Sequence, residues 1–110
     1  MYKQGEIIIV PFPFSDLSMI KRRPVLVISN NKHNSLGDDV ITCGITSNIR
    51  DKKSSIIIDN NSLEIGTIPK TSAIKVDKLF TIEKRTVIKK VAKIKEEFLE
   101  KVKEEFKRLV

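Results

Sequence analysis

The chain of 110 residues is 40% hydrophobic and 32% charged, enough for one core and too apolar for a disordered segment. Its formal net charge of +7 suits a polyanionic partner, either nucleic acid or an acidic protein, though a lysine-rich proteome would give the same total. No apolar run approaches the ~20 residues of a membrane span, the N-terminus lacks a signal-peptide pattern, and the lone Cys43 has no internal disulfide partner, which together predict one cytoplasmic domain over 1–110.

Residues 6–10, EIIIV, form a continuous apolar run of strand length. In the following PFPF the prolines stiffen an extended loop, and Phe12 and Phe14 either cap the core or stack on bases. That loop ends in three consecutive cations, Lys21, Arg22 and Arg23, at the mouth of a second expected strand, PVLVIS (24–29). Pro24 is tolerated as its first residue. NNKHNSLGDD (30–39) is rich in turn formers, so His33 reads as a solvated loop residue and the Asp pair as turn chemistry, too sparse for a metal.

A third strand is expected at DVITCGITS (39–47), with Cys43 as a small core residue and Gly44 marking a bulge or a close backbone approach. SSIIID (54–59) is a fourth, ended by the turn cluster DNNS; TSAIKV (71–76) and KLFTI (78–82) supply more β structure. Strands at such intervals, without helical periods between them, predict an antiparallel, barrel-like sheet.

From Val91 the apolar positions 91, 94, 98, 102, 106 and 109 draw one stripe on a helix, with Glu97–Lys101 and Glu104–Arg108 as i,i+4 pairs on its wet side. Periodicity permits a single helix over 83–109. The β-branched Val87, Ile88 and Val91 favour a break at 88–94, so residues 83–94 are either helical or a strand and turn. Residues 95–109 balance five acids with five bases, which leaves the excess positive charge in IKRR and EKRTVIKKVAKIK.

The sequence has no CxxC, HExxH, Walker A, GxSxG or GxGxxG motif. What remains for chemistry is the cationic loop mouth and the polar end of the third strand, GITSNIRDKK. These blocks carry a resemblance over almost the whole chain. GEIIIVPFPFSDL, KRRPVLVIS, ITS, SAIKVDKLFTIEK and a terminal amphipathic helix, in that order, resemble the MazF/PemK toxins of type II toxin–antitoxin systems.

The resemblance implies a mainly β fold, a compact SH3-like antiparallel barrel of the CcdB/MazF type with a C-terminal helix, usually a homodimer. It implies sequence-selective cleavage of single-stranded RNA without metal or cofactor, and neutralisation by a cognate antitoxin, expected to be acidic. The arginine before the strand proline, Arg23, would be catalytic, with Thr46 as its partner and Ser47 beside it. VDKLFTI (76–82) would be a structural and substrate-proximal block. Lys21, Arg22, Lys52 and Lys53 would bind flanking phosphates, and the loops 11–22 and 48–54 would choose the sequence cut. The chain carries Ser15 and Asp16 where some members have a glutamate. Asp16 joins the expected RNA-contacting set, and the proton acceptor stays open between Asp16, a nearby lysine and Arg23. Two other functions compete: a CcdB-like toxin that poisons DNA gyrase, and a basic barrel that binds nucleic acid without cutting it.

Overall fold

The computed structural model describes residues 1–13 and 20–110. Seven strands form one antiparallel sheet: β1 (Glu6–Pro13), β2 (Ile20–Val27), β3 (Asp39–Thr46), β4 (Ser55–Ile58), β5 (Leu63–Gly66), β6 (Ser72–Glu83) and β7 (Lys89–Ile94), in the order β4-β6-β3-β2-β1-β7-β5. A short helix, α1 (Asn31–Leu36), follows β2, and α2 (Glu96–Leu109) ends the chain. Single-turn 3₁₀ segments occupy Asn60–Ser62 and Lys84–Thr86.

The connection between the two edge strands forces the sheet to curl. Laid flat, six strand spacings would hold β4 and β5 about 29 Å apart. The chain from Ile58 to Leu63 takes five Cα steps and spans at most about 19 Å. Ile58 and Leu63 instead share one buried cluster, which draws residues from every strand and is closed by Leu99 and Val102 of α2. The result is an incomplete antiparallel barrel with a helix against its open side. This is the mainly β fold with a C-terminal helix that the sequence predicts.

A second cluster, Ile8, Val10, Val25, Val27 and Val40, lies on the opposite face of β1, β2 and β3 under Tyr2, Phe12, Ile82 and Val87. Both faces of β1 are therefore covered, which is why EIIIV shows no polar alternation. Each fully buried Ile or Val here contributes roughly 1.5–3 kcal/mol through its apolar surface.

Several boundaries differ from expectation. β1 continues through Pro13, and β2 begins at Ile20, so Lys21, Arg22 and Arg23 lie on a strand opposite Phe12, Pro11 and Val10. Pro24 is inside β2 and tolerated there because β3 pairs with β2 only from Val25 onward, leaving one edge free of ladder bonds. Residues expected as two strands at 71–76 and 78–82 form the single β6.

The segment 30–39 contains α1, whose cap is the Asn30 side chain accepting from the His33 amide at 2.8 Å. His33 is exposed. Residues 84–94 resolve as a 3₁₀ turn followed by β7, so Val91 and Ile94 belong to a strand. Leu99 is buried in α2 while Leu109 is 43% exposed. The helix's ion pairs are Glu100–Lys103 and Glu105–Arg108 at i,i+3. Lys101, expected to meet Glu97, lies 4.6 Å over the Phe98 ring instead. Leu63–Gly66 was not anticipated as a strand. Its Gly66 has φ +81°, and a Cβ there would meet the Val91 carbonyl oxygen at 2.1 Å, so only glycine fits between β5 and β7.

Candidate active site

The rim where β2 and β3 separate is built by register. Val25 pairs with Gly44 and Leu26 with Cys43, and the β2–β3 ladder ends at the first of these pairs, so Arg23 and Thr46 each lie two residues beyond it on their own strands. Alternation along both strands then places these two side chains on the same face as Val25. Arg23, Pro24, Ile45 and Thr46 form a wall shared by two cavities.

The first cavity, about 350 Å³, is also lined by Phe12, Gly44, Asn48, Asp51, Lys75, Lys78 and Phe80. The second, about 480 Å³, opens toward β1 and β7 and carries Arg22, Ser47, Lys70 and Lys89 beside apolar Ile7, Ile9 and Val91. Four cations and no carboxylate line the second cavity among the described residues, a setting that attracts anions.

Irregularity in β6 shapes the first cavity. On β3 the partner steps from Cys43↔Leu79 to Gly44↔Lys75, so residues 76–78 of β6 lie opposite no residue of β3. That local widening turns Lys75, Lys78 and Phe80 toward the cavity. The bulge expected at Gly44 is present, and so is a close approach: a Cβ at Gly44 would lie 3.5 Å from Cε2 of Phe80.

Thr46 is held by the loop that follows it. Its Oγ1 accepts from the Asn48 amide at 3.1 Å, which leaves the hydroxyl proton to donate elsewhere. Lys75, 8% exposed, fastens the same loop from below. Its Nζ donates to the Lys53 carbonyl at 2.6 Å, to Ser55 Oγ at 3.0 Å and to Asp51 Oδ2 at 3.4 Å. The Lys53 amide and then the Lys75 ammonium hold the Asp51 carboxyl below its usual range, so this exposed group is an anion and a weak base at neutral pH.

Other expected residues are placed differently. Lys21 and Arg22 are exposed on β2; Arg22 lines the second cavity and Lys21 neither. Ser47 lines the second cavity, whereas the exposed Lys52 and Lys53 line neither. Asp16 and Phe14 lie outside the described residues. Cys43 is buried, and burial, followed by the charge of Asp77, pushes its thiol up to about 12, consistent with an inert core residue. Among the described residues no three His, Cys, Asp or Glu side chains cluster to hold a metal ion, and no helix is long and apolar enough to cross a membrane.

Lys70 and Lys75 carry no signal in the sequence, whereas Lys78 and Phe80 fall in the VDKLFTI block and Asp51 in the loop 48–54, both expected near the substrate though no role is assigned to these residues singly. Lys89 falls in the positively charged EKRTVIKKVAKIK.

The domain is thus an incomplete antiparallel β-barrel, helix-capped, with a cationic cavity at its rim, which sets its structural class. The chain belongs to one family within it, the PemK-like, MazF-like toxins of type II toxin–antitoxin systems, whose model matches residues 3–110.

Solved structures of the same fold include a mycobacterial endoribonuclease in complex with its cognate antitoxin, at 18% identity and TM-score 0.76 over 98% of this chain and 93% of that one. A mycobacterial endoribonuclease matches at 18% identity and TM-score 0.76, over 97% and 88%. MazE–MazF from Deinococcus radiodurans matches at 16% identity and TM-score 0.79, over 98% and 94%. At these identities the likeness is one of fold. No curated protein matches significantly by sequence.

Proposed function

We propose that this toxin is an endoribonuclease that cuts single-stranded RNA at the β2–β3 rim, with Arg23 and Thr46 acting together on one phosphate. The observation that carries the reading is that both side chains line the wall common to both cavities. The endoribonucleases among the structures of like fold support it, and so does the resemblance in sequence.

The chemistry asks for few groups. The ribose 2′-oxygen attacks the adjacent phosphorus in line and the P–O5′ bond breaks, leaving a 2′,3′-cyclic phosphate and a 5′-hydroxyl. The 2′ proton leaves and the 5′ oxygen gains one. Charge builds on the non-bridging oxygens, which a planar guanidinium meets with paired N–H donors at any working pH. The Thr46 hydroxyl, its lone pair engaged by the Asn48 amide, donates its proton to the same phosphate. One such donor is worth on the order of 100-fold or more in rate. Asp51 lines the cavity but is a weak base, so its part is to hold the loop with Lys75. Arg22, Lys70 and Lys89 take the phosphates of the flanking strand. No step needs a metal ion.

The same cationic cavity suits the acidic, partly disordered segment of a cognate antitoxin; two of the structures of like fold are complexes with an antitoxin. The active assembly is expected to be a homodimer from the family resemblance. The gyrase-poison reading has no use for a guanidinium and a hydroxyl aimed at one phosphate. Incubating purified protein with single-stranded RNA in EDTA and mapping the fragment ends tests the proposal. Fragments with cyclic phosphate and 5′-hydroxyl ends are expected; intact RNA across many sequences from a folded protein would overturn it.

A further inference from the structure

We infer that Phe80, braced by Phe12, is a stacking platform for one unpaired nucleobase of the strand held at the rim; the inference rests on the RNA reading above. Phe80 is 36% exposed, and three features fix its position. Its ring meets Phe12 edge-on, with centroids 4.7 Å apart and planes at 61°. Gly44 beside it presents no side chain, so the ring lies close to the β3 backbone. The Thr42 hydroxyl donates to the Phe80 carbonyl at 2.9 Å, which ties down the main chain.

A fixed aromatic ring open to solvent is a poor surface in isolation. Here it lines the cavity that holds Arg23 and Thr46, with Lys78 alongside. At about 350 Å³ the cavity is at the small end for a bound ligand, suited to one planar group and not to a length of helix. RNA is read at unstacked bases laid on aromatic rings, with cations taking the adjoining phosphates. Asn48 and Asp51 at the mouth supply an amide and a carboxylate for the base edge. The surrounding charge disfavours the other occupant of an exposed ring, a second copy of this chain, because pairing the two faces would bring Arg23 and Lys78 of each against those of the other.

The test uses the full chain and a short, mixed-sequence, all-2′-deoxy oligonucleotide, which lacks the attacking hydroxyl, with one 2-aminopurine walked along it. Wild type is expected to quench the fluorophore at one position. Phe80→Trp should keep that quenching. Phe80→Ala, and Phe80→Leu, which retains apolar bulk against Phe12, should lose it and weaken binding by about 5- to 150-fold. Equal affinity of Phe80→Leu and wild type would overturn the inference, as would quenching at no position. So would a change in the mass of the assembly with quenching intact, since that assigns the ring to contact between copies. Quenching by a protein that leaves RNA uncut would sink the cleavage reading alone. RNA cut at the wild-type rate by Phe80→Leu, with unchanged affinity, would sink this inference alone.

Discussion

The Lys75 ammonium and the Asp51 carboxylate stand 3.4 Å apart beside the first cavity, a nearly buried cation against an exposed anion. The asymmetry matters more than the pair. Lys75 also meets the Lys53 carbonyl and the Ser55 hydroxyl, so one side chain of β6 fastens the loop that carries Asn48 and Asp51.

Replacing Lys75 with Met keeps the apolar stem and removes the donors. Losing charged hydrogen bonds of this kind costs about 1.5–3 kcal/mol, which in a domain of this size lowers Tm by roughly 6–15 °C. RNA cleavage should fall by about 10- to 100-fold as the loop loses its position. Differential scanning calorimetry and a cleavage assay check both, and an unchanged Tm would show that the loop holds itself.

The Asp51 carboxyl titrates below its unfolded value, held there by the Lys53 amide and Lys75. A depressed carboxylate stabilises the fold above its unfolded pKa of about 3.9, and that stabilisation is lost as pH falls through the folded pKa. Asp51→Asn should therefore run parallel to wild type in a Tm-against-pH profile above about pH 5 and lose less than wild type on further acidification. Profiles parallel down to the acid limit would contradict the assignment.

How far the sequence reached can be judged from individual residues. The inner strands were legible because both faces of β1, β2 and β3 are apolar. The first half of β2 was not, since IKRR reads as a loop and becomes strand only against Val10, Pro11 and Phe12 of β1. Asn31–Leu36 is too short to show a helical period, and its evidence is a cap bond from Asn30. Lys75 reads as an ordinary strand residue, and Phe80 is marked only through the VDKLFTI block that the resemblance places near the substrate. Their turn toward the cavity depends on the three residues of β6 that β3 leaves unpaired, a tertiary feature with no local signal. Arg23 and Thr46 are paired by family resemblance alone; in the structure both line the wall common to the two cavities, beyond the end of the β2–β3 ladder.

Gly66→Ala should be severely destabilising. The left-handed φ of +81° and the 2.1 Å approach to the Val91 oxygen act together, and a loss of about 3 kcal/mol or more is expected in urea titration. A near-neutral result would mean that β5 does not pack on β7 as described.

Affinity for a 2′-deoxy or RNA strand should fall with salt, and the second cavity identifies the cations responsible. Lys70→Gln with Lys89→Gln should reduce the slope of log K against log salt by about 1.4, near 0.7 for each phosphate contact removed. Lys52→Gln with Lys53→Gln, outside both cavities, should change the slope less.

The most direct test is single-turnover RNA cleavage by Arg23→Ala and Thr46→Val, measured beside Tm. Each variant should lose on the order of 100-fold or more in rate while its Tm stays within a few degrees of wild type. Cleavage at the wild-type rate by either variant, or loss of rate in step with loss of folding, would contradict it.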